Sequence, residues 1–232
     1  MKQLIQRAAR VATAIAILPA SSLMAAPMAG FTLKAQSQHF SFYSRNQKTT
    51  DVNRSERQLE RVSKLLGQTL RERSDVYQYD TPGDLAAVTG VYAGGVTYVS
   101  ERQIHTTEAE RDHEIVHLVA YQLGDPGRFF HEGLAVALGD GGRYFGQPVD
   151  RLAKRLMQGQ TLASWMARFN AADPRDGYVV AGSFVKWLID RFGVDKVSQF
   201  FRASTKGEPR PAFLATFGLP LDQAGATWAA QL

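Results

Sequence analysis

The apolar positions change their spacing along the chain. His39 to Tyr43 reads HFSFY, an alternating aromatic run that predicts a strand. Asp51 to Arg73 places Val52, Leu59, Val62, Leu65, Leu66 and Leu70 among charged residues, the spacing of a helix with one apolar stripe. Asp75 to Tyr79 predicts a short strand, closed by the turn residues Thr81, Pro82 and Gly83. Val88 to Tyr92 and Val96 to Val99 predict two more strands joined through Gly94 and Gly95. From Thr107 to Leu232 the spacing is helical, with breaks at Gly124-Asp125-Pro126-Gly127, Gly139 to Gly142, Asp173-Pro174, Gly193 and Gly218. Strand and helix share the first half and helices alone fill the second. The expected fold is therefore α+β, with a small mixed sheet over 31–125 and an all-helical lobe over 126–232.

The first 29 residues follow another rule. Met1 to Arg10 holds Lys2, Arg7 and Arg10, Val11 to Leu18 is apolar apart from Thr13, and small residues run from Ala20 to Gly30. These are the three regions of a secretory signal peptide, with cleavage expected near 25–29. The apolar run is too short for a spanning helix, so no stable membrane insertion is expected once the signal is removed. The expected destination is the periplasm or the medium. Setting those three bases aside leaves 24 bases against 22 acids, which gives no reason to expect a nucleic-acid partner. Cysteine is absent, which excludes disulfide frameworks, thiol nucleophiles and thiolate metal sites.

Chemistry concentrates at Arg111 to His117, RDHEIVH. A helix start is signalled by Thr107 as N-cap with Glu110 three residues later, the pattern of a capping box. His113 and His117 stand four apart, so on a helix both imidazoles leave one face a turn apart, where one zinc ion can take both. Glu114, next to the first histidine, is placed to act as a general base without itself binding the metal. A second short helix, Phe129 to Leu138 (FFHEGLAVAL), ends at Gly139.

Together, HEIVH and FFHEGLAVAL resemble the gluzincin metallopeptidases, the thermolysin-like group, and in particular its compact branch. The resemblance implies one zinc per chain, bound by His113, His117 and Glu132, and hydrolysis of a peptide or protein substrate with Glu114 as base. It covers nearly all of residues 31–232, although only the two metal segments are specific. It also implies a cleft with the HExxH helix as its floor. In the family a tyrosine of the following helix can donate to the oxyanion, which maps to Tyr178, with Tyr144 as a rival. The Gly94 to Val99 stretch can supply an edge strand that pairs with extended substrate. His131 neighbours Glu132 but diverges from it by about 100° on a helix, so it is not the expected ligand. Larger members carry a second carboxylate one turn after the glutamate ligand, to orient a histidine. Val136 stands there instead, which leaves Asp140 or a backbone carbonyl as substitutes. The other reading is a metallopeptidase-like domain of weak or no activity that binds a peptide or envelope protein; the intact Glu114 speaks against it.

Overall fold

A five-stranded mixed sheet occupies the N-terminal half and helices fill most of the remainder, the α+β class expected from the spacing. The computed structural model describes residues 28–46, 51–109, 111–171, 174–205 and 207–232. The expected signal peptide up to residue 27 lies outside them, as does Glu110. Strands β1 (Thr32–Gln36), β2 (Phe40–Ser44), β3 (Ser74–Gln78), β4 (Gly95–Tyr98) and β5 (Gln103–Thr106) lie in the order β1-β2-β3-β5-β4. β2, β3 and β5 are parallel, while β1 and β4 run antiparallel at the two edges.

Strand alternation divides the core in two. Phe42, Val76 and Ile104 pair across the three central strands and join the main core with the helices. The next row, Tyr43, Tyr77 and His105, stacks ring on ring at 5.1 and 4.9 Å on the other face. Phe31, Tyr79 and Leu85 close a smaller cluster there.

Helices α1 (Val52–Leu66), α2 (Pro82–Thr89), α3 (Arg111–Ala120) and α4 (Arg128–Leu138) precede a two-stranded hairpin, β6 (Arg143–Tyr144) and β7 (Gln147–Pro148). Helices α5 (Val149–Leu156), α6 (Leu162–Arg168), α7 (Pro174–Phe192), α8 (Val194–Ala203), α9 (Pro209–Phe217) and α10 (Leu221–Ala229) complete the chain. Nine of the ten residues of α3 are buried, between α1, α4 and the β4–β5 end of the sheet. Its β-branched Ile115, Val116 and Val119 favour no helix intrinsically, so burial on all sides holds it.

Several expectations are corrected. Thr81-Pro82-Gly83 does not close a strand but opens α2: Thr81 is the N-cap, Pro82 takes the first helical position and Asp84 completes a capping box. Val88 is consequently helical, and the strand expected over Val88 to Tyr92 is absent. α1 stops at Gly67, whose left-handed φ of 60° ends it seven residues before Ser74. The second half is not wholly helical, because Gly139 to Pro148 contains the β6–β7 hairpin. The capping box expected of Thr107 involves Glu110, which lies outside the described residues. The Thr107 hydroxyl donates to the Gly94 carbonyl at 3.0 Å, tying the approach to α3 against β4.

Candidate metal centre

α3 and α4 cross where their polar side chains meet. His113 and His117 project from one face of α3 with ring centroids 4.9 Å apart, and Glu132 reaches them from α4. Glu132 Oε2 lies 3.3 Å from Nε2 of His113 and 3.3 Å from Nε2 of His117. All three side chains are buried, and their ligand atoms lie within 4.8 Å of one another. This group could hold a metal ion. A tetrahedron with arms of about 2.05 Å has edges of about 3.3 Å, the spacing found between the carboxylate oxygen and each imidazole nitrogen. Charge agrees with size: Glu114, Glu132 and Asp140 set three carboxylates against the single guanidinium of Arg128, and a dication brings that balance to zero.

The electrostatics of the bare trio show the same demand for positive charge. Burial would lower the His113 pKa, but its bonds to Asp140 and then Glu132 outweigh burial and hold it well above 6.5. Burial would raise the Glu132 pKa, yet the two histidines hold it well below the usual carboxylate range. Both directions describe one buried pair that keeps a proton on the imidazole side; a metal ion held there would take that proton's place.

Asp140 supplies what Val136 cannot. The Val136 side chain packs into α7 at Gly182, where an added Cβ would overlap it. Asp140, just past the end of α4, brings Oδ2 to 2.8 Å from His113 Nδ1. Gly139 permits this, since a Cβ there would stand 2.7 Å from His113 Cα. A carboxylate on Nδ1 leaves Nε2 as the metal-facing atom.

Glu114 turns the other way, toward the sheet edge. Thr97 of β4 donates to its Oε2 at 2.7 Å and to its backbone carbonyl at 3.2 Å. Burial raises the Glu114 pKa above 4.5, against the opposing pull of His117, His113 and the Thr97 bond. That is the direction suited to a proton acceptor working near neutral pH. Gly95 makes room: a Cβ there would lie 2.5 Å from Glu114 Oε1.

Tyr178 lies in the second turn of α7 rather than at its opening, with its ring parallel to that of His113 at 6.2 Å. Burial, followed by the charge of Glu132, raises its phenol pKa. Tyr144 sits behind it, ring centroids 6.3 Å apart. His131 is not in the trio: its ring stacks on Tyr121 at 3.6 Å, and burial lowers its pKa to about 3.

Spacing alone does not reveal Arg128, Thr97 or Gly95. Arg128 donates from Nε to Glu132 Oε1 at 3.2 Å and from Nη2 to the Tyr178 hydroxyl at 3.1 Å. Its position four residues before Glu132 on one helix face is the signal available in the sequence. No family model and no curated protein matches the chain. The site is accordingly read from its own atoms.

Proposed function

We propose that this chain is a zinc-dependent peptide hydrolase of gluzincin type, exported before it acts. The observation that carries the reading is the carboxylate oxygen of Glu132 at 3.3 Å from both imidazole nitrogens, with the buried Glu114, held by Thr97, on the helix of the two histidines. A zinc ion held by His113, His117 and Glu132 supplies Lewis-acid polarisation of the scissile carbonyl and a water acidified toward a pKa of about 7. Glu114 takes the proton of the attacking water and passes it to the leaving amine. Tyr178 donates its hydroxyl proton to the oxyanion that develops on the carbonyl. β4 lies at the edge of the sheet beside Glu114, and an extended peptide can pair along it. Asp140 behind His113 supports hydrolysis over a pure binding module, which has no need of a preset ligand tautomer beside a general base.

Glu114→Gln separates the two readings. Metal analysis should find about one zinc per chain in wild type and variant alike, while cleavage of a mixed peptide library falls by a hundredfold or more in the variant. A wild-type protein with no stoichiometric zinc, or a variant that cleaves as well as wild type, defeats the reading. Export rests on the N-terminal pattern. Among the described residues no helix is long and apolar enough to cross a membrane. Sequencing the exported protein should find a start between residues 23 and 31; a full-length chain retained in the membrane fraction contradicts export with cleavage.

A further inference from the structure

Arg128 occupies a position where the helix dipole disfavours a cation. It is the first residue of α4, whose first turn holds no acidic residue and whose N-cap, Gly127, makes no side-chain cap bond. Positive charge at a helix N-terminus opposes the macrodipole, so this arginine works against α4 itself. Exceptions of this kind to local rules are expected where a side chain serves a site.

Its contacts show what it serves. The guanidinium joins Glu132 Oε1, the Tyr178 hydroxyl and, from Nη1, Asn170 Oδ1 at 3.3 Å, and it lies over the Phe169 ring at 5.9 Å. The two oxygens of Glu132 are thereby divided, Oε2 facing the histidines and Oε1 facing the arginine. A guanidinium only donates, so the phenol oxygen accepts from it and the single phenol proton remains to be given elsewhere. The negative charge of the Glu132 carboxylate acts on that hydroxyl and competes for its proton. By saturating Oε1, Arg128 weakens that competitor.

We propose that Arg128 is the positioning residue for the Tyr178 hydroxyl, holding it against Glu132 with its proton directed to the carbonyl under attack. The inference rests on the proposed hydrolase reading. Arg128 acts through Tyr178, so its effect on the reaction should vanish when the hydroxyl is already gone. Lysine cannot replace it, because a point ammonium lacks the planar fork that spans two acceptors.

The experiment is a double-mutant cycle on the zinc-loaded protein with Arg128→Met, Tyr178→Phe and the pair, adding Arg128→Lys. Two quantities are read: kcat and KM on a cleaved peptide, and the Kd of a non-cleavable peptide phosphonate that mimics the tetrahedral species. Each single variant should lose about tenfold or more in kcat and in phosphonate affinity, with KM changed less than threefold and zinc content intact. The double variant should be no worse than Tyr178→Phe within about twofold, and Arg128→Lys should recover little. If the two losses multiply, or if Arg128→Met leaves kcat and phosphonate affinity unchanged, the positioning role is overturned while the hydrolase reading stands. A wild-type protein that neither cleaves peptides nor binds the phosphonate overturns both. Melting temperatures near wild type show that the variants are folded; should Arg128→Met unfold, Arg128→Gln keeps a donor of shorter reach and must show the same coupling.

Discussion

Glu114 depends on two residues that carry no charge. Thr97 holds one oxygen of its carboxylate, and the bare Cα of Gly95 leaves room for the other. Gly95→Ala would put a methyl 2.5 Å from Oε1, 2.6 Å from Cγ and 2.8 Å from Cδ of Glu114. The far end of a flexible side chain gives way at small cost, so the melting temperature should stay within a few degrees and zinc content should not change. The displaced carboxylate should cost about tenfold or more in kcat, since a shift of about 1 Å at reacting groups can cost about a hundredfold. Unchanged turnover in a folded, zinc-loaded Gly95→Ala protein contradicts this account of Glu114. These dependencies also mark how far the site is legible in the sequence. His113, Glu114 and His117 are legible because one helix fixes their relative directions, and Glu132 follows from the resemblance carried by its own helix. Thr97, Gly95 and Arg128 are not, because their roles come from contacts between elements that spacing along one element does not encode. Asp140 falls between the two: it stands as a substitute in the sequence and is selected only by the close approach of α4 to α3.

Elements were legible where one signal pointed one way. Aromatic alternation in β2 and the stripe of α1 belong to that class. The segment from Thr81 to Thr89 does not, because Thr-Pro-Gly-Asp serves equally as a turn and as a capped helix start. β5 escapes for a different reason. Gln103-Ile104-His105-Thr106 carries one aliphatic residue, and the burial of its polar His105 comes from the stack on Tyr77, a tertiary contact. The helix pair that fixes Glu132 is also set by close tertiary packing. Gly133 of α4 faces α7 so closely that a Cβ would lie 2.6 Å from both the Ala181 carbonyl oxygen and Val185 Cγ2. In an open helix, glycine to alanine gains up to about 1 kcal/mol. Here the methyl meets backbone, and overpacking of about 1–3 kcal/mol wins. Gly133→Ala should therefore lose about 1–2 kcal/mol in denaturant unfolding of the apo protein and weaken zinc binding, since it prises α4 from α7 next to Glu132. A stabilised variant shows that the two helices separate freely.

For the whole molecule, acidity acts on buried histidines with opposite signs. His105, stacked in the small aromatic cluster and bonded through Nδ1 to the Tyr79 hydroxyl at 2.8 Å, has its pKa lowered by burial to about 4. The unfolded chain takes up that proton near pH 6.5 and the folded protein does not. Stability is therefore full above 6.5 and falls as pH drops toward 4, by about 3 kcal/mol at most. His113 works in the other direction. Its folded pKa lies well above 6.5, so its contribution to the apo protein is complete below 6.5 and fades as pH rises through the folded value. On the proposed reading zinc would take the place of that proton and have less to displace as pH rises. Thermal unfolding with and without zinc, from pH 5 to 9, should show two trends. The acid-side loss should be present in both forms and shrink in a folded His105→Gln variant, the remainder coming from His131, whose pKa burial lowers to about 3. The zinc-induced rise in melting temperature should be small at pH 5–6 and grow toward pH 8–9, because a ligand held by the folded protein alone stabilises it in step with its affinity. A zinc increment that shrinks as pH rises contradicts the protonated His113–Glu132 pair. An acid limb untouched by His105→Gln moves the acid sensitivity to another group.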